Sequence, residues 1–228
     1  MRRAAAVAIA GIGLFVVTAS TGVPRGVGWA ADPAAAQTGD PEVGRAIATA
    51  AGCVNCHGPL GVSSDPLIPN LAGQNQEYLI HQLQLFRKPP GARPMPKRRA
   101  RCSDHTMDSQ AAPLTDPDIA HVVAFFSALW CGSSGAEADV APPPRAARCM
   151  SCHGPDGMSE NEVVPRLAGQ KTAYLGRQLR LFRDAARDAP RSDEVSGRFH
   201  PIMGSEAVLL TDAEIDDMST FFSGQSCW

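Results

Sequence analysis

The amino-acid sequence predicts an all-α protein built as two tandem copies of one helical module. Three observations carry that prediction. The chain repeats itself at a shift of 96 positions, without a gap, from Cys53 to Cys131. Inside each copy, apolar residues recur at three- and four-residue steps, the period of an amphipathic helix. No stretch alternates apolar and polar residues as a half-buried strand does.

The first element belongs to neither copy. Met1-Arg2-Arg3 is a positive start, Ala4 to Ala19 is apolar or small throughout, and small residues follow at Ala30, Ala31 and Ala34 to Ala36. Residues 1–36 thus read as a secretory signal peptide cleaved near 30–36, which sends the mature chain to the periplasm. If it is kept instead, the uncharged run from Ala4 to Pro24 is long enough to anchor the chain in a membrane, where a span needs about 20 residues. Past residue 36 the chain holds 18 Lys and Arg against 22 Asp and Glu. That balance argues against nucleic acid as a partner. Lys97, Arg98, Arg99 and Arg101 form a local basic cluster, read either as a solvated loop or as a docking patch for an acidic partner.

Residues 37–139 make the first module and 140–228 the second, with the boundary in the Gly-, Ser-, Ala- and Pro-rich segment "GSSGAEADVAPPPR". In the first module Pro41 to Ala51 reads as a short helix. Gln76 to Arg87 follows as a second, with Leu79, Leu83 and Phe86 in register. Asp116 to Leu129 is a third, carrying Ile119, Val122, Val123 and Phe126. Thr115 and its repeat partner Thr211 are N-caps with acidic residues in the turn behind them. "PNLAGQNQEYLIHQLQLFR" (69–87) lies on "PRLAGQKTAYLGRQLRLFR" (165–183), and "LTDPDIAHVVAFFS" (114–127) on "LTDAEIDDMSTFFS" (210–223). A domain of about 90 residues is small for a self-sufficient apolar core, so a staple or cofactor is expected.

"CVNCHGP" (53–59) and "CMSCHGP" (149–155) point to that cofactor. A redox disulfide of this spacing usually accompanies a βαβ pattern, which is missing here. A structural zinc site wants four ligands, and one Cys pair with a His leaves one short. The third reading is covalent haem: two thiols on one helical turn add to the two vinyl groups, and the following His falls under the iron. Cys53, Cys56 and His57 would hold one haem c, and Cys149, Cys152 and His153 the other. Each iron then needs a sixth ligand. Met107 lies 50 residues after His57, and Met203 lies 50 residues after His153. Met95 and His105 compete at the first iron and His200 at the second, but none has a like residue at its repeat position. Met158 is read as packing. His/Met ligation favours electron transfer over binding of small molecules, because no position is left open.

With the paired Cys-x-x-Cys-His, the Pro-x-Leu-Ala-Gly-Gln-x-x-x-Tyr-Leu segments and Met followed seven residues later by Leu-Thr-Asp, the chain resembles the dihaem cytochrome c4 family from residue 40 to its end. The resemblance implies two tandem class I cytochrome c domains related by a pseudo-twofold axis, with haem propionates facing each other at the interface. It implies a periplasmic carrier moving single electrons from a quinol-oxidising complex toward a terminal oxidase or reductase. The alternative is the dihaem cytochrome subunit of a dehydrogenase, such as a flavocytochrome sulfide dehydrogenase. Pro69 and Pro165 would present their carbonyls to the proximal His residues. Tyr78 and Tyr174 would lie near haem or propionate, or else in plain core.

Three departures from the family pattern stand out. Pro142, Pro143 and Pro144 should shorten or erase the first helix of the second module. Cys102 and His105 enter the first Met loop. Cys102, Cys131 and Cys227 are extra and cannot all pair within one chain. Cys102 with Cys131 is unattractive, since a helix of about 22 Å separates them. Whether Cys131 and Cys227 meet depends on domain packing.

Overall fold

In the first module α1 (Pro41–Ala50) starts where Asp40 accepts hydrogen bonds from the backbone of Glu42 and Val43, with Pro41 at the first helical position. These come from a computed structural model that describes residues 39–87, 105–131, 141–188 and 200–227. The leader, most of the linker with the boundary at 139, Met95, the basic cluster 97–101, Cys102 and the side chain of His105 lie outside the described residues.

After α1 come α2 (Cys53–His57), α3 (Gln76–Phe86), α4 (His105–Ala111) and α5 (Asp116–Ala128). The second module supplies α6 (Ala146–His153), α7 (Thr172–Asp188), α8 (Pro201–Ala207) and α9 (Asp212–Ser223). No strand occurs among the described residues. Both threonine caps form as the sequence predicts. Thr115 and Asp118 make a reciprocal capping box, and so do Thr211 and Glu214. The periodic residues Ile119, Val122, Val123 and Phe126 of α5 are all buried and form half of the first core, with Leu79 from α3 and Ala48 from α1 beside them.

The modules differ where the prolines predict. Residues 141–145 are not helical, although their repeat partners lie in α1. Pro142 to Pro144 have no N–H to donate and favour extended backbone. Gly52, which separates α1 from α2 in a left-handed conformation (φ 77°), is matched by Arg148, and there α6 runs unbroken into the Cys motif. The second module leans instead on α7, which packs against both α8 and α9. Arg183 donates to Asp212, and Arg180 reaches Asp212 and Asp216, fastening α7 to the start of α9.

Residues 37–228 pack as one unit, and the two modules meet through their Leu-Ala-Gly-Gln turns. Gly73 and Gly169 sit at φ 67° and 65°, which only glycine adopts without strain. Contacts across the interface come in pairs related by the 96-residue shift. Asn70 Nδ2 donates to Gly169 O, and Arg166 Nη1 donates to Gly73 O. Lys171 Nζ donates to Ser63 O, while Asn75 Nδ2 donates to Ser159 O, Asn161 O and Val164 O. This is the pseudo-twofold relation that the resemblance implies.

On that axis Cys131 and Cys227 form a disulfide with a Cα–Cα distance of 6.2 Å, buried beside Ala72 and Ala168. The domain packing therefore does bring them together. Met158 packs against the same cluster, as its reading as packing requires. The bridge ties residues 96 apart, a loop whose closure restricts the unfolded chain strongly. Cys131→Ser with Cys227→Ser should lower the stability of the holoprotein by about 2–4 kcal/mol. Guanidinium unfolding checks this, and an unchanged midpoint would mean that the non-covalent interface holds the modules alone.

Candidate functional site

Each Cys-x-x-Cys-His motif occupies one helical turn: all of α2 in the first module and the end of α6 in the second. The four cysteines are unbridged thiols, unlike Cys131 and Cys227. Cys53 and Cys149 are half-buried and face their module cores, while Cys56 and Cys152 are exposed. Burial pushes the Cys53 and Cys149 thiols up from their ordinary range.

His57 and His153 close these helices, each only 6% exposed. His57 Nδ1–H donates to the Pro69 carbonyl at 2.9 Å, and His153 Nδ1–H donates to the Pro165 carbonyl at 2.8 Å. A carbonyl only accepts, so the proton is on Nδ1 and the basic lone pair is on Nε2. Burial lowers the pKa of both rings, against a smaller opposing effect of the proline carbonyls. The rings stay neutral at neutral pH, as a metal ligand must. The two prolines named from the resemblance are thus in hydrogen-bond contact with the two histidines.

The loops that carry these carbonyls are fixed in the same way in both modules. Ser63 Oγ donates to Cys56 O and Ser159 Oγ to Cys152 O. The N–H of Leu71 donates to Gly61 O, and that of Leu167 to Gly157 O. Loop, proline and Cys motif form one braced unit, the kind of outer support that holds a ligating His in place.

Met107 lies on α4, which packs against α3, and Met203 on α8, which packs against α7; both are half-buried. Among the competitors, His200 has a role of its own. Its Nδ1 accepts from the Met203 N–H at 3.2 Å and caps α8, and its ring stands edge-on to Phe182. Tyr78 packs against the first core, and its N–H donates to Glu162 O across the interface. Tyr174 is half-buried in the first turn of α7.

The residues present fit haem c. Two thiols one turn apart precede a buried neutral imidazole whose Nε2 side is left for iron, and a thioether follows on a separate helix. At the module interface Arg166 Nε is buried without a hydrogen-bond partner among the described residues. It is a cationic donor suited to a propionate carboxylate.

Sequence reasoning missed Gln74 and Gln170. Both are buried, and each grips the backbone of the opposite module. Their identity in both copies of the repeat was the available signal.

The cytochrome c family model matches residues 41–130 and 145–225, one match per module. The chain is 32% identical to cytochrome c4 of Thiocapsa roseopersicina over 85% of its own length and 96% of the relative's. It is 33% identical to the thiosulfate dehydrogenase electron acceptor of Stutzerimonas stutzeri, covering 79% of this chain and 82% of that protein. Among solved structures, reduced recombinant cytochrome c4 from Pseudomonas stutzeri superposes with a TM-score of 0.61 at 28% identity, over 82% of this chain and all of the other. Thiosulfate dehydrogenase from Marichromatium purpuratum gives a TM-score of 0.57 at 28% identity, over 82% of this chain and 40% of that one.

Proposed function

We propose, from the premise that the chain belongs to the cytochrome c family and within it to the cytochrome c4 group, that it shuttles single electrons in the periplasm between a quinol-oxidising complex and a terminal oxidase or reductase. Membership of that group makes two covalent haem c groups the cofactors, and electron carriage rather than catalysis the activity. Each haem supplies an iron that changes reversibly between ferric and ferrous. Cys53 and Cys56 would tether the first haem and Cys149 and Cys152 the second, and His57 with Met107 and His153 with Met203 would ligate the two irons. The observation that carries this reading is the doubled histidine–proline contact: two buried imidazoles, one per module, each held by a carbonyl twelve residues on. A ring whose other nitrogen is fixed by a backbone carbonyl is oriented as an iron ligand needs to be.

A second reading is favoured by the relatives named as thiosulfate dehydrogenase electron acceptors. On it, the chain is the cytochrome partner of a dehydrogenase. The periplasmic location rests on residues 1–36 as a cleaved signal; no described helix is long and apolar enough to cross a membrane. Gel filtration of native protein separates the two readings. A shuttle elutes as the single chain, while a subunit elutes with a second, larger protein that reduces it when thiosulfate is added. Elution alone, with no reduction by a quinol-oxidising membrane fraction, would contradict the shuttle.

A further inference from the structure

The peptide unit that orients each histidine is itself held from the other module. The Pro69 carbonyl accepts from His57 Nδ1–H at 2.9 Å. The N–H of that same peptide, belonging to Asn70, donates to Gln170 Oε1 of the second module at 2.9 Å. Gln170 Nε2 then donates to Asn70 O at 2.9 Å, so the side-chain amide clamps residue 70 on both sides. The mirror image is complete. His153 Nδ1–H donates to Pro165 O at 2.8 Å, Arg166 N–H donates to Gln74 Oε1 at 2.8 Å, and Gln74 Nε2 donates to Arg166 O at 2.9 Å. Each Gln is in turn oriented by its own module: Asn75 N–H donates to Gln74 Oε1 and Lys171 N–H to Gln170 Oε1. Gln74 is 8% exposed and Gln170 7%.

A peptide's C=O and N–H are electronically coupled through the partial double bond between them. An acceptor placed on the N–H pushes electron density toward the carbonyl oxygen, which then pulls harder on the histidine proton. Chains of hydrogen bonds reinforce one another in this way, and more strongly at low dielectric. The geometry points to Gln74 and Gln170 as positioning residues that act on the opposite module's axial histidine: Gln170 on His57 through the Pro69–Asn70 peptide, and Gln74 on His153 through Pro165–Arg166. Docking of the modules therefore sets the electron-donating strength of both proximal ligands, and each module tunes the other's iron. The inference rests on His57 and His153 being the axial ligands.

The signs follow from the chemistry. A more strongly held Nδ1 proton gives the imidazole more anionic character, which favours ferric iron and lowers the potential. Gln170→Leu removes the acceptor and should raise the potential of the first-module haem alone. Gln170→Glu places a charged acceptor on the same N–H and should lower it. A residue that merely held the interface closed would act otherwise. Either substitution would then admit water, favour the ferric state, and lower both potentials together.

The test uses the holoprotein, with the Cys131–Cys227 bridge intact, titrated while NMR follows the haem methyl signals of each centre. With Gln170→Leu, the ferrous-to-ferric ratio of the first-module haem at fixed potential should rise about threefold, or about 28 mV at 59 mV per tenfold. The Nδ1–H signal of His57 should move upfield, with that of His153 unchanged. Gln74→Leu should do the reverse, and Gln170→Glu should shift the first-module centre in the opposite sense. Equal shifts at both centres, one sign for Leu and Glu, or no shift in a normal low-spin protein would overturn the relay. A first-module haem that stays fully low-spin in His57→Ala, with the second-module signals as an internal reference, would instead overturn the ligand assignment beneath it.

Discussion

Replacing both thiols of one motif, Cys53→Ala with Cys56→Ala, should halve the haem content and unfold most of the first module. Among the described residues, the main buried cluster of that module has eight members, gathered chiefly on α5, small for a self-sufficient domain. A covalently held macrocycle adds a large apolar body to it, and its loss should remove stability on the order of 5–10 kcal/mol, the whole of a typical domain's. The paired variant Cys149→Ala with Cys152→Ala should do greater damage to its own module. In the first module α1 packs along α5, whereas residues 141–145 form no such helix in the second. Haem and iron content per chain and the far-ultraviolet helix signal check both. Full helicity at half haem content would show that the cofactor is not part of the core.

Much of this architecture was legible in the sequence because repetition converts weak signals into strong ones. The lone threonine at 115 is an ordinary cap candidate; with Thr211 in register, and Asp118 and Glu214 three residues on, it is a pair of capping boxes. That residues 141–145 form no helix could be read from Pro142 to Pro144, since the absence of an N–H is a local property. Beyond the two glutamines, identical in both copies, the interface could not be read. Asn70 matches Arg166, and Asn75 matches Lys171, yet these unlike residues occupy equivalent contacts. They can do so because the groups they bind are backbone carbonyls, which carry no sequence signature. The Cys131–Cys227 bridge was undecided for the same reason: its two ends come together only through that interface. His200 looked like a rival ligand because composition cannot show that its Nδ1 caps the helix of Met203.

The central claim is that two irons, one per module, are each closed on the second face by methionine sulfur. Met107→Ala and Met203→Ala bear on it with an effect as large as removal of the thiols, because each opens a coordination position and withdraws the ligand that raises the potential. Each variant should lower the potential of one centre and let carbon monoxide bind that centre in the ferrous state. The local helix should remain, since α4 and α8 are short elements braced by α3 and α7. The most direct measurement is the weak far-red absorption band by which methionine sulfur on ferric haem iron is known, measured per chain in the oxidised protein. The account predicts that each single variant loses about half of the wild-type band and that the double variant loses all of it. A band left whole by either single substitution would contradict it.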